Sequence, residues 1–291
     1  MSQNNKNMKQ NIDELLYNLN HQDWKKRVKT IYELKNYNEP KVTEALIKSL
    51  YDENENVWLA SANVLKNSKD PRIIDSLIKT LTTDKRDEIR WHSAYYLGEI
   101  GDPKGVNALI KSLSDPCIDV RTNAAKALGK MGEKNALDAL ITALDDENPT
   151  VRKEAISSIN LLSPKKPVNA LVKALNDKDK KVRSLAAILI GKTKSIEAFD
   201  DLIGTLDDKD HIVRVSAVYA LEKIGGEQSI EPLLKALKDP YWEVRSDAAN
   251  ALGKIGDTNV IVPLLEVLND DNAFVKKSAL RALERFSIFK K

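Results

Sequence analysis

The sequence predicts an all-α solenoid of about nine helical hairpins, and three observations predict it. A β-branched residue followed by Arg recurs at Ile89, Val120, Val151, Val182, Val213 and Val244, each 31 residues after the last. One step further lands on Val275 and Lys276, and the steps back reach Val57 and then the pair Lys26 and Arg27. Ala and Leu tend to follow four and eight residues later, as at Ala248 and Leu252 after Val244, so one apolar stripe at helical spacing accompanies the motif. The composition, 42% hydrophobic and 31% charged, fits folded helices. A fixed period of this length marks units that stack because neither helix of a pair can bury its apolar face alone.

Taken in order, residues 1–10 are polar and lack the apolar stretch of a signal peptide. They are expected to form a disordered tail, with 11–291 a single solenoid of nine repeats. Each repeat opens with a helix, A, whose pattern of two adjacent apolar residues and a later Leu recurs at 12–19, 45–50, 76–81, 108–113 and 232–237. Pro40, Pro71, Pro103 and Pro167 stand just before these segments, where a first helical turn tolerates a missing N–H.

An acidic corner then ends helix A. Asp52, Asp84, Asp115, Asp146, Asp177, Asp208, Asp239 and Asp270 each lie five residues before the branched position, and His21 takes that place in the first repeat. An Asp there is expected to cap the second helix, B. Helix B carries the Val-Arg motif and is stopped, in the eighth repeat, by Gly256 and Asp257. Gly98, Gly129, Gly191 and Gly253 share one position inside helix B. Gly costs about 1 kcal/mol there relative to Ala, so its recurrence predicts a neighbouring backbone close by. The frame departs at 65–71 and 160–167, where a looser stack or a bend is expected.

Units written Asp-x-x-x-x-Val-Arg-x-x-Ala-Ala-x-Ala-Leu-Gly-x-Ile-Gly-Asp, best developed at 115–132 and 239–257, resemble HEAT repeats of the phycobilisome-lyase type over nearly the whole chain. The resemblance implies right-handed superhelical stacking, with helices A outside and helices B lining a concave face. It also implies relatives that are bilin lyase subunits or adaptors. Deoxyhypusine hydroxylases resemble this architecture but hold two irons with paired His-Glu motifs. Here His21, His92 and His211 are isolated and none is followed by Glu, which does not supply that site. HEAT-like alkylpurine DNA glycosylases place tryptophans on a concave surface; Trp24, Trp91 and Trp242 match only part of that pattern.

Two sets of residues bear on function. Arg90, Arg121, Arg152, Arg183, Arg214 and Arg245 form an unbroken series, with Arg27 at the start and Trp58 and Lys276 as exceptions. A position that repeats in lockstep with the core is expected to be structural, pairing with corner aspartates of the same or adjacent repeats. The second set does not repeat. It comprises positions equivalent to Trp242, Ser246 and Asn250, and their neighbours, opposite the Val-Ala-Leu face of helix B. These positions hold Trp24, Tyr32, Trp91, His92, Tyr95, Lys126, Lys153, His211, Tyr219, Trp242 and Asn250, and are expected to bind a partner. Aromatic rings on such a surface are typical binding anchors.

The function expected is a non-catalytic scaffold or adaptor that holds a protein or peptide along the face formed by helices B. One alternative is a bilin-lyase-like, tetrapyrrole-handling subunit. Another is nucleic-acid binding through these aromatics and the basic turns that follow helices B. The near balance of 46 basic and 43 acidic residues does not by itself point to nucleic acid. The single cysteine, Cys117, excludes an internal disulfide and a multi-cysteine metal site, and fits a reducing cytosol. No apolar run approaches the roughly 18 residues of a membrane span. A cytoplasmic monomer without cofactor, metal or catalytic residues is expected.

Overall fold

The computed structural model describes residues 3–68, 70–162 and 168–286, and these contain eighteen α-helices and no strand. The chain divides into two compact units, Met1–Ala143 and Leu144–Lys291. The first unit holds α1 (Gln3–Asn18), α2 (Trp24–Leu34), α3 (Pro40–Lys48), α4 (Glu55–Leu65), α5 (Pro71–Thr83), α6 (Asp87–Ile100), α7 (Val106–Ser112), α8 (Ile118–Met131) and α9 (Leu137–Thr142). The second holds α10 (Pro149–Leu162), α11 (Val168–Leu175), α12 (Lys180–Thr193), α13 (Phe199–Thr205), α14 (His211–Ile224), α15 (Ile230–Ala236), α16 (Trp242–Ile255), α17 (Ile261–Val267) and α18 (Ala273–Leu283). Odd-numbered helices are the A helices and even-numbered ones the B helices. Because α1 begins at Gln3, helix occupies most of the stretch expected as a disordered tail.

Within each unit, A helices pack on A helices and B helices on B helices, giving two layers. The residues facing between the layers are the repeated apolar ones: Val57, Ile89, Val120, Val182, Val213 and Val244 are all buried, as are Leu97, Leu128, Leu221 and Leu252. Pro40 and Pro71 occupy the first turn of α3 and α5, and Pro103 opens the short 3-10 turn that leads into α7. Pro167 lies outside the described residues, as does most of 160–167.

The corner aspartates act differently from the capping role expected of them. Each accepts the N–H two residues on, as in Asp179 N to Asp177 Oδ1 and Asp210 N to Asp208 Oδ1, both 2.8 Å. The N-cap is that later residue: Asp23, Asn54, Asp179, Asp210 and Asn272 cap α2, α4, α12, α14 and α18 with their own side chains. The corner Asp stands two residues before the N-cap, so it is too early to cap B. It forms an Asx turn instead. His21 stands in for Asp in the first repeat, its Nδ1 accepting from Asp23 N at 2.9 Å.

That turn leaves the corner carboxylate free to receive the repeated arginine. Arg183 donates from Nε and Nη2 to both oxygens of Asp208, at 2.6 and 2.9 Å. Its Nη1 donates to the carbonyl oxygens of Asp177 and Lys178, at 2.8 and 3.2 Å. One guanidinium thus ties its own corner to the next. Arg27 with Asp52, Arg90 with Asp115, Arg152 with Asp177, Arg214 with Asp239 and Arg245 with Asp270 repeat the two-pronged bond across one repeat. Arg121 donates from Nη1 to its own corner at Asp115 O and Pro116 O.

Where Trp58 interrupts the series, Arg86 supplies the same bonds from the opposite side. It grips Asp84 through Nε and Nη2, and its Nη1 reaches Asp52 O and Glu53 O at 2.9 and 2.8 Å. Trp58 itself is fully buried against His92 and Tyr96, with ring centroids 6.0 and 5.8 Å away.

The recurrent glycines set how closely B helices approach. A Cβ added at Gly98 would sit 2.6 Å from Ala127 Cβ; at Gly191, 2.6 Å from Ala220 Cα; at Gly253, 2.5 Å from Ala282 Cβ. The three B–B pairs that have this glycine, α6 with α8, α12 with α14 and α16 with α18, pack more extensively than the four other such pairs within the units. Those four carry Lys35, Lys66, Asn160 or Glu222 at the same place.

Two outcomes test this frame. Gly253→Ala should lower the urea midpoint by the equivalent of about 1–3 kcal/mol, although Ala is the better helix former by about 1 kcal/mol. Gly204→Ala in α13, where nothing lies within 4 Å of the added carbon, should instead stabilise. Equal signs for the two would remove the close-approach account.

The second outcome concerns pH. Burial pushes the carboxyls of Asp177, Asp208 and Asp239 up, but hydrogen bonds from Arg152, Arg183 and Arg214 and from the turn N–H groups outweigh it and hold them below the ordinary value. A carboxyl depressed by folding stabilises the native state above its unfolded pKa, about 3.9. That contribution is lost as pH falls through the native value. Urea midpoints should therefore drop steeply below about pH 4, and less steeply in Arg183→Met, which releases Asp208. Identical acid limbs for the two proteins would contradict the ladder's electrostatic role.

Candidate partner-binding face

With the guanidinium groups of the ladder turned into the corners, the outward side of the B layer is left to residues that differ from repeat to repeat. Ring exposure separates them. Tyr32, Tyr95, Trp242 and Phe274 are 48, 39, 37 and 63% exposed, whereas Trp58 is 0% exposed.

In the first unit the rings gather on α6. Trp91 stacks on His92 with centroids 3.4 Å apart, and Tyr95 meets Tyr96 edge-on at 5.2 Å. His92 leans on buried Trp58 and its Nδ1 donates to Glu88 O at 2.7 Å; burial pushes its imidazole below the ordinary value. Burial likewise pushes the Tyr96 phenol up. Lys126 on α8 borders the shallow groove that also holds Tyr95 and Glu99. Trp24 and Tyr32 lie on α2, with Trp24 half-buried under Lys25 Nζ, 5.8 Å from its ring. Cys117 is the half-buried N-cap residue of α8, its N–H bound to Asp115.

The second unit holds the other rings. His211 on α14 stacks almost parallel on Tyr241, centroids 4.4 Å apart, and Arg214 lies over the far ring at 5.3 Å. Trp242 at the start of α16 stacks on Phe274 of α18 at 5.2 Å. Tyr219 is half-buried beneath Lys223 Nζ, at 5.2 Å, and Lys153 is exposed on α10. Of the expected binding residues, Trp24, Tyr32, Trp91, His92, Tyr95 and Lys126 lie in the first unit and Lys153, His211, Tyr219, Trp242 and Asn250 in the second.

Two of the positions taken as outward are inward. Ser246 is buried and its hydroxyl meets Ser278 at 2.8 Å, while Asn250 Nδ2 donates to the same Ser278 oxygen at 2.9 Å. The stripe through Trp242, Ser246 and Asn250 faces the next B helix for part of its length. The open stripe is one residue on, through Glu243, Asp247 and Lys254. Phe274, Tyr241, Glu243 and Asp247 escaped the sequence reading. The signal available for Phe274 was its place one residue after the Trp242 equivalent, Ala273.

Several charged side chains on the surface pair along the array. Lys130 meets Glu99, Lys254 meets Glu222, Lys173 meets Asp145, Lys41 meets Asp13 and Lys104 meets Asp75. Among the described residues no group of three or more His, Cys, Asp or Glu is placed to hold a metal ion, and no helix is long and apolar enough to cross a membrane.

The HEAT-repeat family model matches residues 12–95, 74–160, 137–222, 168–249 and 203–284, and the chain belongs to that family. No curated protein matches it. Among solved structures, Escherichia coli YibA is 25% identical, with 88% of this chain and 95% of that one covered at a TM-score of 0.61. Kap95p, solved with RanGDP, is 16% identical over 94% of this chain and 43% of its own, at a TM-score of 0.68. Kap121p bound to Nup53p is 16% identical over 95% and 37%, at 0.67. These likenesses show an all-α solenoid fold.

The burial contrast gives a direct test. Trp58→Ala should cost about 3–5 kcal/mol in urea unfolding, as expected for a large side chain removed from a core. Trp242→Ala should cost only about 1 kcal/mol, the worth of an aromatic pair. Similar losses for both would show that Trp242 belongs to the core and not to a free surface.

Proposed function

We propose that this protein is an interaction scaffold or adaptor that holds a protein or peptide partner against the outward side of its B helices. The observation that carries the reading is the contrast between the two residue sets. The repeating arginines are tied into the corners of the frame, whereas non-repeating rings stand exposed beside them. Trp242 with Phe274, and Tyr95 with Trp91, offer large, rigid, partly apolar contacts at little further entropic cost, the character of interface anchors. Support of a general kind comes from Kap95p and Kap121p, HEAT-like solenoids whose structures contain RanGDP and Nup53p respectively.

The test is capture of partners from cells of the source organism on wild-type protein and on two double variants, Trp91→Ala/Tyr95→Ala and Trp242→Ala/Phe274→Ala, each shown by thermal unfolding to remain folded. A specific partner should be enriched on wild type and reduced at least tenfold on one of the double variants. A partner recovered equally on all three contradicts the proposal. So does a coloured tetrapyrrole adduct bound by wild type alone, or co-purifying nucleic acid whose release depends steeply on salt.

A further inference from the structure

The B layer of the second unit contains a recess of about 300 Å³ between α14 and α16, walled by His211, Ile212, Val215, Trp242, Glu243 and Asp247. It opens at the N-terminal ends of the two helices, which pack less extensively than the pairs on either side.

The charges in the recess are unbalanced. Glu243 Oε2 is sealed from solvent with no hydrogen-bond partner, and a buried, unmatched carboxylate oxygen is costly. Asp247 stands open at the mouth, yet desolvation by the surrounding atoms, with repulsion from Glu222, raises its pKa. The cations nearby are already engaged. Lys254 and Lys223 meet Glu222 at 2.6 and 3.4 Å, and Arg214 and Arg245 grip Asp239 and Asp270 in the corners.

The geometry points to this recess as the seat of a cationic side chain, Arg or Lys, presented by a basic peptide segment of the partner. The inference rests on the scaffold reading above and names the partner's chemistry. The indole of Trp242 and the carboxylates of Glu243 and Asp247 on the α16 side, with Ile212 and Val215 on the α14 side, match a side chain with an aliphatic stem and a charged head. Such a group would pair with the two carboxylates at the mouth of the recess.

Fluorescence anisotropy with labelled peptides alternating Ala with Arg, Lys or Gln tests it at physiological salt. The Arg or Lys peptide should bind at least tenfold more tightly than the Gln peptide. Glu243→Gln and Asp247→Asn should each weaken it at least fivefold. Glu197→Gln, which removes an equal charge from an exposed site of the same unit, should leave it within twofold. Binding that is equal for Gln and Arg peptides, undetectable for all of them at millimolar concentration, or equally sensitive to Glu197→Gln overturns the inference. A captured native partner that survives Glu243→Gln/Asp247→Asn but is lost on Trp242→Ala/Phe274→Ala sinks the cation seat alone. One indifferent to both sinks the scaffold reading of this face.

Discussion

The interaction on which the rest depends is the two-ended guanidinium contact between successive corners. Each arginine has five N–H donors in a fixed plane, and the corner presents acceptors in the matching places: two carbonyl oxygens of its own turn and two carboxylate oxygens from the next. Side-chain exposure at these pairs is low, 4% and 11% for Arg152 with Asp177. Water therefore competes weakly, and the paired geometry becomes a ruler for the repeat. Residues 25 apart must meet, so insertions between Arg and the next Asp are costly while variation elsewhere is cheap. The crossing from Trp58 to Arg86 shows that the acceptors, rather than the position of the donor, are the fixed element. The four acceptors around Asp52 and Asp84 are filled even though the arginine comes from another place in the chain.

A frame closed at its corners can vary its spacing inside the B layer. Glycine against alanine draws two B helices together, and a longer side chain at the glycine position holds them apart. The same period that builds the array thus contains one position whose identity decides whether neighbouring helices close or leave a groove. In α14 that place holds Glu222, and α14 and α16 pack less extensively than the pairs on either side. The outward surface is written by residues the stack does not need.

Much of the frame was legible in the sequence because it is enforced thirty-one residues at a time. The Val-Arg series, the corner aspartates and the recurrent glycine each reported a contact that must recur. What was hidden involved compensation or phase. Nothing local marks Arg86 as the replacement for the arginine missing at Trp58, since the two lie in different repeats and only folding brings their acceptors together. The aspartate series looked like N-caps because their distance from the motif is constant. The turn that moves the cap to Asp179 or Asp210, two residues past the corner aspartate, is a property of backbone geometry. The outward stripe was misplaced by one residue because Ser246 and Asn250 look polar, and their partner, Ser278, lies a whole repeat away.

The claim that the guanidinium contact holds successive repeats in register is tested most directly by a double-mutant cycle on Arg183 and Asp208. Urea unfolding of Arg183→Met, Asp208→Asn and the combined variant gives their coupling free energy without the contribution of either side chain's other contacts. The account predicts a favourable coupling of about 1.5 kcal/mol or more, as for a charge-assisted hydrogen-bonded pair shielded from solvent. A coupling below about 0.5 kcal/mol, the level of an exposed surface pair, would contradict it.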